Sequence, residues 1–151
     1  MKIVIIEDEQ ITAEDLADLI IRLQPNAQIV ASLRSVKESL HYFRTHGMPD
    51  LIFSDIQLGD GLSFDIFKAV EVTAPIIFCT AYDEYAFNAF RTTGIDYILK
   101  PIVSSTVEQA LKKYQTLRKE FTTSAVSYDS ILELFANKPV QKTFSILVTH
   151  K

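Results

Sequence analysis

Four short apolar runs stand out in the chain, and each stops on a residue with reactive chemistry. Lys2-Ile3-Val4-Ile5-Ile6 runs into Glu7-Asp8-Glu9, and Leu51-Ile52-Phe53-Ser54 into Asp55. Pro75-Ile76-Ile77-Phe78-Cys79 ends on Thr80, and Asp96-Tyr97-Ile98-Leu99 on Lys100-Pro101. Unbroken apolar runs of this length mark parallel strands buried on both faces, whereas half-exposed strands alternate. In an open parallel sheet the ligand crevice lies just beyond the carboxyl ends of the strands. The pattern therefore sends acidic groups, a short carboxylate, a hydroxyl and an ammonium to one crevice, a set suited to a metal ion and a phosphoryl group.

The segments between the runs read as helices. Residues 10–23 carry Leu16, Leu19, Ile20 and Leu23 on one face and stop at Gln24-Pro25-Asn26. An alternating strand over 27–31 follows, then a helix over 35–46 with Val36, Leu40 and Phe43 at helical spacing. Gly59-Asp60-Gly61 reads as a turn and 62–72 as a third helix. Residues 83–92 read as a fourth, aromatic helix with Tyr85, Phe87 and Phe90, ended by Gly94. A fifth helix starts near Ser104, with Val107, Ala110, Leu111 and Tyr114 on one face. Strict strand–helix alternation predicts an α/β fold. It is a flavodoxin-like, doubly wound, five-stranded parallel sheet of order 2-1-3-4-5 with helices on both faces. Its switch point lies between strands one and three, so Asp8 and Asp55 would flank it. After about Glu120 the character changes. Thr122-Thr123-Ser124 reads as a linker, Tyr128 to Phe135 as a short helix, and Thr143 to Val148 as a strand whose partners lie further on.

Composition narrows the functional classes. The chain has 151 residues, an apolar fraction of 48% and a formal charge of −4, with no basic cluster longer than a pair. A duplex-binding surface needs a concentrated basic stripe, so this chain alone is expected to bind nucleic acid weakly or not at all. No run approaches membrane-spanning length, and the opening residues lack a signal-peptide pattern. The single Cys79 ends a strand and reads as a buried thiol, which with the other features suggests the cytoplasm.

Adjacent carboxylates at Glu7 and Asp8, joined by Asp55, make an oxygen-rich site of the kind Mg²⁺ prefers. The histidines, His41, His46 and His150, lack ligand spacing. Beside a metal, Asp55 is a candidate nucleophile toward phosphorus. The Thr80 hydroxyl and the Lys100 ammonium are candidates for binding phosphoryl oxygens, Lys100 through an ion pair with Asp55 or its phosphate. A cis bond at Lys100-Pro101 would fix the aim of that side chain. Tyr97 reads as an amphipathic core residue or as a switch beside Thr80. A metal-dependent phosphatase using an aspartyl nucleophile is a rival reading, but it would want a carboxylate two residues after Asp55, where Gln57 stands. A flavin site is weaker still, since no small-residue phosphate loop follows strand one.

Together, Glu7-Asp8-Glu9, Asp55, Thr80-Ala81 and Lys100-Pro101 resemble the receiver domain of two-component response regulators over residues 1–120. The resemblance implies Asp55 as phosphoacceptor, with Thr80 and Lys100 binding the phosphoryl group and Tyr97 as an aromatic switch. It implies Mg²⁺ held by Glu7, Asp8, Asp55 and the backbone carbonyl of Gln57. Glu7 stands where the family commonly has Asp, and the extra methylene leaves two roles open to it, direct coordination or an outer-sphere contact through water. The implied partner is a sensor histidine kinase, and helix four, strand five and helix five form a possible homodimer surface. The segments Thr80-Ala81-Tyr82-Asp83-Glu84-Tyr85-Ala86 and Asp96 to Ile102 resemble the LytTR subgroup. Lys142 to Val148 is similar to the opening strand of its DNA-binding domain. Residues 121–151 are accordingly expected to be a linker and the first strand of a truncated LytTR-type output domain, with DNA contacted only through the missing part. A stand-alone receiver acting as an adaptor is the alternative.

Overall fold

The computed structural model describes residues 1–81 and 94–124. The strands are β1 (Lys2–Ile6), β2 (Gln28–Leu33), β3 (Leu51–Ser54), β4 (Gln57–Leu58), β5 (Gly61–Leu62), β6 (Ile76–Thr80) and β7 (Gly94–Leu99). The helices are α1 (Gln10–Leu23), α2 (Val36–Thr45), α3 (Ser63–Ala69) and α4 (Ser104–Ser124). Five strands form one parallel sheet in the order β2-β1-β3-β6-β7, the order expected. The strand pair β4–β5 is a separate antiparallel hairpin.

Alternating side chains of the buried strands divide the core into two layers, as the pleat requires. Ile3, Ile5, Phe53 and Ile77 pack with Leu16 and Ile20 of α1 and with Val107, Ala110, Leu111 and Tyr114 of α4. Val4, Ile6, Ile52, Ile76 and Phe78 pack on the other face with Phe43 of α2 and with Phe64 and Ile66 of α3. Phe53 and Phe78 have no exposed surface, so truncating either to alanine should cost about 3–5 kcal/mol.

The ends of several elements differ from the sequence reading. Helix α3 stops at Ala69 because Val70 is already extended (φ −126°, ψ 145°), and Val70 and Val72 are β-branched residues that favour that geometry. Gly94 opens β7. It pairs with Ile76, and a register slip then seats Asp96 opposite Ile77. Strand β2 runs two residues further than read, to Leu33. Helix α4 continues through Thr122-Thr123-Ser124, the expected linker. Threonine weakens a helix by only a few tenths of a kcal/mol and does not stop one without Gly or Pro. The expected helix over 83–92, with Tyr85, Phe87 and Phe90, lies outside the described residues, as do Tyr82, the short helix from Tyr128 and the terminal strand.

Candidate phosphoryl and metal site

The site lies at the carboxyl ends of β1, β3, β6 and β7, where the four runs stop. Ladder bonds continue past the strand ends and aim the site residues. The Glu7 N–H donates to the Leu33 carbonyl (2.9 Å), and the Asp55 N–H donates to the Ile6 carbonyl (2.8 Å). The Lys100 N–H donates to the Thr80 carbonyl (2.8 Å), which fixes the end of β7 against the end of β6. The Lys100-Pro101 peptide bond is cis.

Three distant segments meet at one ammonium. Lys100 Nζ donates to Glu7 Oε1 at 2.6 Å and to Asp55 Oδ2 at 2.8 Å. Asp55 Oδ1 accepts from the Ile56 N–H at 2.6 Å, and Glu7 Oε2 accepts from the Glu9 N–H at 3.2 Å. Glu7 and Asp55 are buried, and Asp8 is half-buried. One carboxylate oxygen from each of Glu7, Asp8 and Asp55 falls within 4.8 Å of the other two.

Electrostatics follow from this crowding. Burial, opposed by the Lys100 hydrogen bond and reinforced by the Asp55 charge, raises the Glu7 carboxyl to about 7. Burial alone would lower the Lys100 ammonium. Its hydrogen bonds to Asp55 and Glu7, and their charges, outweigh that and hold it above the ordinary lysine value. Burial likewise raises the Cys79 thiol, which stays neutral beneath the site. One ammonium against three carboxylates leaves an excess of negative charge. An all-oxygen donor set with such an excess fits a hard divalent cation.

Among the expected residues, Glu7, Asp8, Asp55 and Lys100 come together directly. Thr80 is fully buried at the end of β6, and its carbonyl carries the Lys100 backbone. Gln57 opens β4, opposite Leu62 and two residues past Asp55. Tyr97 stands opposite Phe78 and packs, half-buried, on the layer that contains it.

The direct Glu7–Lys100 ion pair was not read from the sequence, where Lys100 was matched to Asp55 or its phosphate. The extra methylene of glutamate lets the carboxylate reach the ammonium. A second residue missed is Asp60, read only as part of a turn. Its carboxylate accepts from the N–H groups of Val36 (2.8 Å) and Lys37 (3.0 Å) at the start of α2. Those contacts hold the carboxyl below its ordinary value. Aspartate between two glycines could have signalled a capping group, but nothing local names the distant helix it caps.

A family profile described as "Response regulator receiver domain" matches residues 3–112. The sensory transduction protein LytT of Bacillus cereus is 35% identical over 118 residues, 76% of this chain and 47% of that protein. The positive alginate biosynthesis regulatory protein of Pseudomonas aeruginosa is 34% identical over 117 residues, 75% of this chain and 46% of that protein. The chain thus spans about half the length of these curated relatives. The crystal structure of the response regulatory domain of protein mrkE from Klebsiella pneumoniae superposes with a TM-score of 0.69 at 33% identity, covering 80% of this chain and 99% of that one.

Proposed function

The chain belongs to the response regulator receiver domain family, and on that premise we propose that it accepts a phosphoryl group on Asp55 from the phosphohistidine of a sensor kinase. An Asp55 carboxylate oxygen attacks phosphorus, an O–P bond forms, and the P–N bond breaks. The electron pair of that bond returns to the histidine nitrogen, which takes up a proton. The single observation that carries this reading is the convergence of Asp55, Glu7 and Lys100 within hydrogen-bond distance, from segments 45 and 93 residues apart.

Glu7, Asp8, Asp55 and the Gln57 carbonyl would hold Mg²⁺. Bound there, the cation would offset charge on the transferring phosphoryl oxygens. Lys100 already contacts Asp55 Oδ2, so its ammonium can follow the phosphoryl group as it arrives and release Glu7. Thr80 supplies a hydroxyl from the adjoining strand. The half-buried Tyr97 would then move with Thr80, biasing the surface of β7 and α4 toward a partner or a second copy. Phosphorylation shifts that equilibrium only through its differential interaction with the two states. The protein is read as a cytoplasmic signalling receiver rather than a turnover enzyme. Among the described residues no helix is long and apolar enough to cross a membrane.

The relatives' names describe sensory transduction and regulation of alginate biosynthesis. In keeping with those names, we read residues 1–120 as a receiver that controls a LytTR-type DNA-binding output domain, with 121–151 as its linker and first strand. The deciding experiment is incubation with acetyl phosphate and Mg²⁺, read by intact mass and peptide mapping. Asp55 should gain one phosphoryl group and Asp55→Asn none. Undiminished labelling of Asp55→Asn removes the proposal.

A further inference from the structure

Between Asp55 and α3 the chain makes a two-residue hairpin, with Gln57 opposite Leu62 and Leu58 opposite Gly61. So short a pair is not stable by itself, and its place must be set by what holds it from outside. At its base the Ser63 N–H donates to the Ile56 carbonyl (2.8 Å). At its tip a Cβ on Gly59 would lie 4.0 Å from Asp8 Oδ2, so the tip faces the carboxylate cluster. Gly61 has φ +148°, and a Cβ there would meet Val36 Cγ2 at 3.5 Å and Asp65 Oδ2 at 3.2 Å. The hairpin is therefore seated closely against the first residue of α2.

Asp60 makes the polar tie across that contact. Its two oxygens accept separately from Val36 N–H (2.8 Å) and Lys37 N–H (3.0 Å), 24 and 23 residues away in sequence. Helix α2 already has a cap of its own. The Ser35 hydroxyl accepts from the Glu38 N–H (3.0 Å), and Glu38 Oε1 accepts from the Arg34 N–H (3.0 Å). Asp60 is thus surplus to starting the helix. Two charge-assisted bonds at a helix N-terminus, each to a different oxygen, fix direction as well as distance.

We infer that Asp60 is a positioning residue for cation binding: from the N-terminus of α2 it holds the 57–62 hairpin, and with it the Gln57 carbonyl, over Asp8 and Asp55. The inference rests on the Mg²⁺-assisted phosphoacceptor reading above. Its test is Mg²⁺ titration of the metal-free full chain, followed by calorimetry and by amide NMR shifts, on wild type, Asp60→Ala, Asp60→Asn and Ser35→Ala. Loss of a group that orients a ligand typically weakens metal binding at least tenfold, and here Asp60→Ala should raise the Mg²⁺ Kd by on the order of tenfold. Asp60→Asn, which keeps one good acceptor, should fall between. Labelling of Asp60→Ala by acetyl phosphate should slow at low Mg²⁺ and recover to within about twofold of wild type at saturation, since the reacting groups are untouched. Ser35→Ala uncaps the same helix from inside and should lower the melting temperature with the Mg²⁺ Kd unchanged. An unchanged Kd in Asp60→Ala, or an equal rise in Ser35→Ala, overturns the positioning role alone. Wild type that binds no Mg²⁺ overturns the underlying reading with it.

Discussion

Glu7→Gln tests the electrostatics of the site most directly. Glutamine keeps the length of the side chain and an oxygen for Lys100, but removes a buried negative charge. The folded-state carboxyl is raised from its ordinary 4.5 to about 7. Between those values the folded protein holds a proton that the unfolded chain gives up, so stability falls as pH rises through the window. At about 1.4 kcal/mol per pH unit, the full loss is about 3 kcal/mol, complete by pH 8. In EDTA, urea denaturation of wild type should therefore show stability declining between pH 5 and 8 by that order. Glu7→Gln should lack this part of the slope. The variant should match wild type near pH 5, where Glu7 is largely protonated, and exceed it by about 3 kcal/mol at pH 8. In thermal melts at pH 8 that gap is roughly 6–12 °C. The control is a pair of parallel profiles. Equal stabilities at pH 8, or a gap that does not change between pH 5 and 8, would refute the account of Glu7 as a buried, desolvated acid.

Further expectations concern its neighbours. Lys100→Met leaves the Glu7 and Asp55 carboxylates buried without their ammonium, and should cost about 3 kcal/mol at pH 8 in urea unfolding, less near pH 5 where Glu7 can take a proton. Saturating Mg²⁺ should stabilise wild type by about 2.7 kcal/mol at a hundred times its Kd, and Asp8→Asn should lose most of that gain in a matched melt. Cys79 should resist a thiol-reactive dye in the native protein at pH 8 and react on unfolding, because the buried thiol stays protonated; fast native labelling would contradict its placement.

Much of the fold was legible because burial on both faces imposes its own signature. Ile3 to Ile6 can only be a central parallel strand, since residues of either parity need an apolar layer, and both layers are present. Helix faces such as Val107, Ala110, Leu111 and Tyr114 were readable for the same reason, each being buried as spaced. Element ends were less legible. Gly94 signals a break without saying that a strand begins there, and its pairing with Ile76 shows that one does.

Residue type and position at strand ends sufficed to gather Glu7, Asp8, Asp55 and Lys100 in one crevice, because sheet topology sends every carboxyl end of a parallel strand to the same edge. Which of them bond to which was settled only in three dimensions. Glu7 rather than solvent accepts a hydrogen bond from the Lys100 ammonium, inside a site whose burial raises the Glu7 carboxyl. The grip of Asp60 on α2 belongs to the same class. Hydrogen bonds act over about 3 Å, and whether two groups so far apart in sequence come that close depends on strand register and helix seating, which no local pattern encodes.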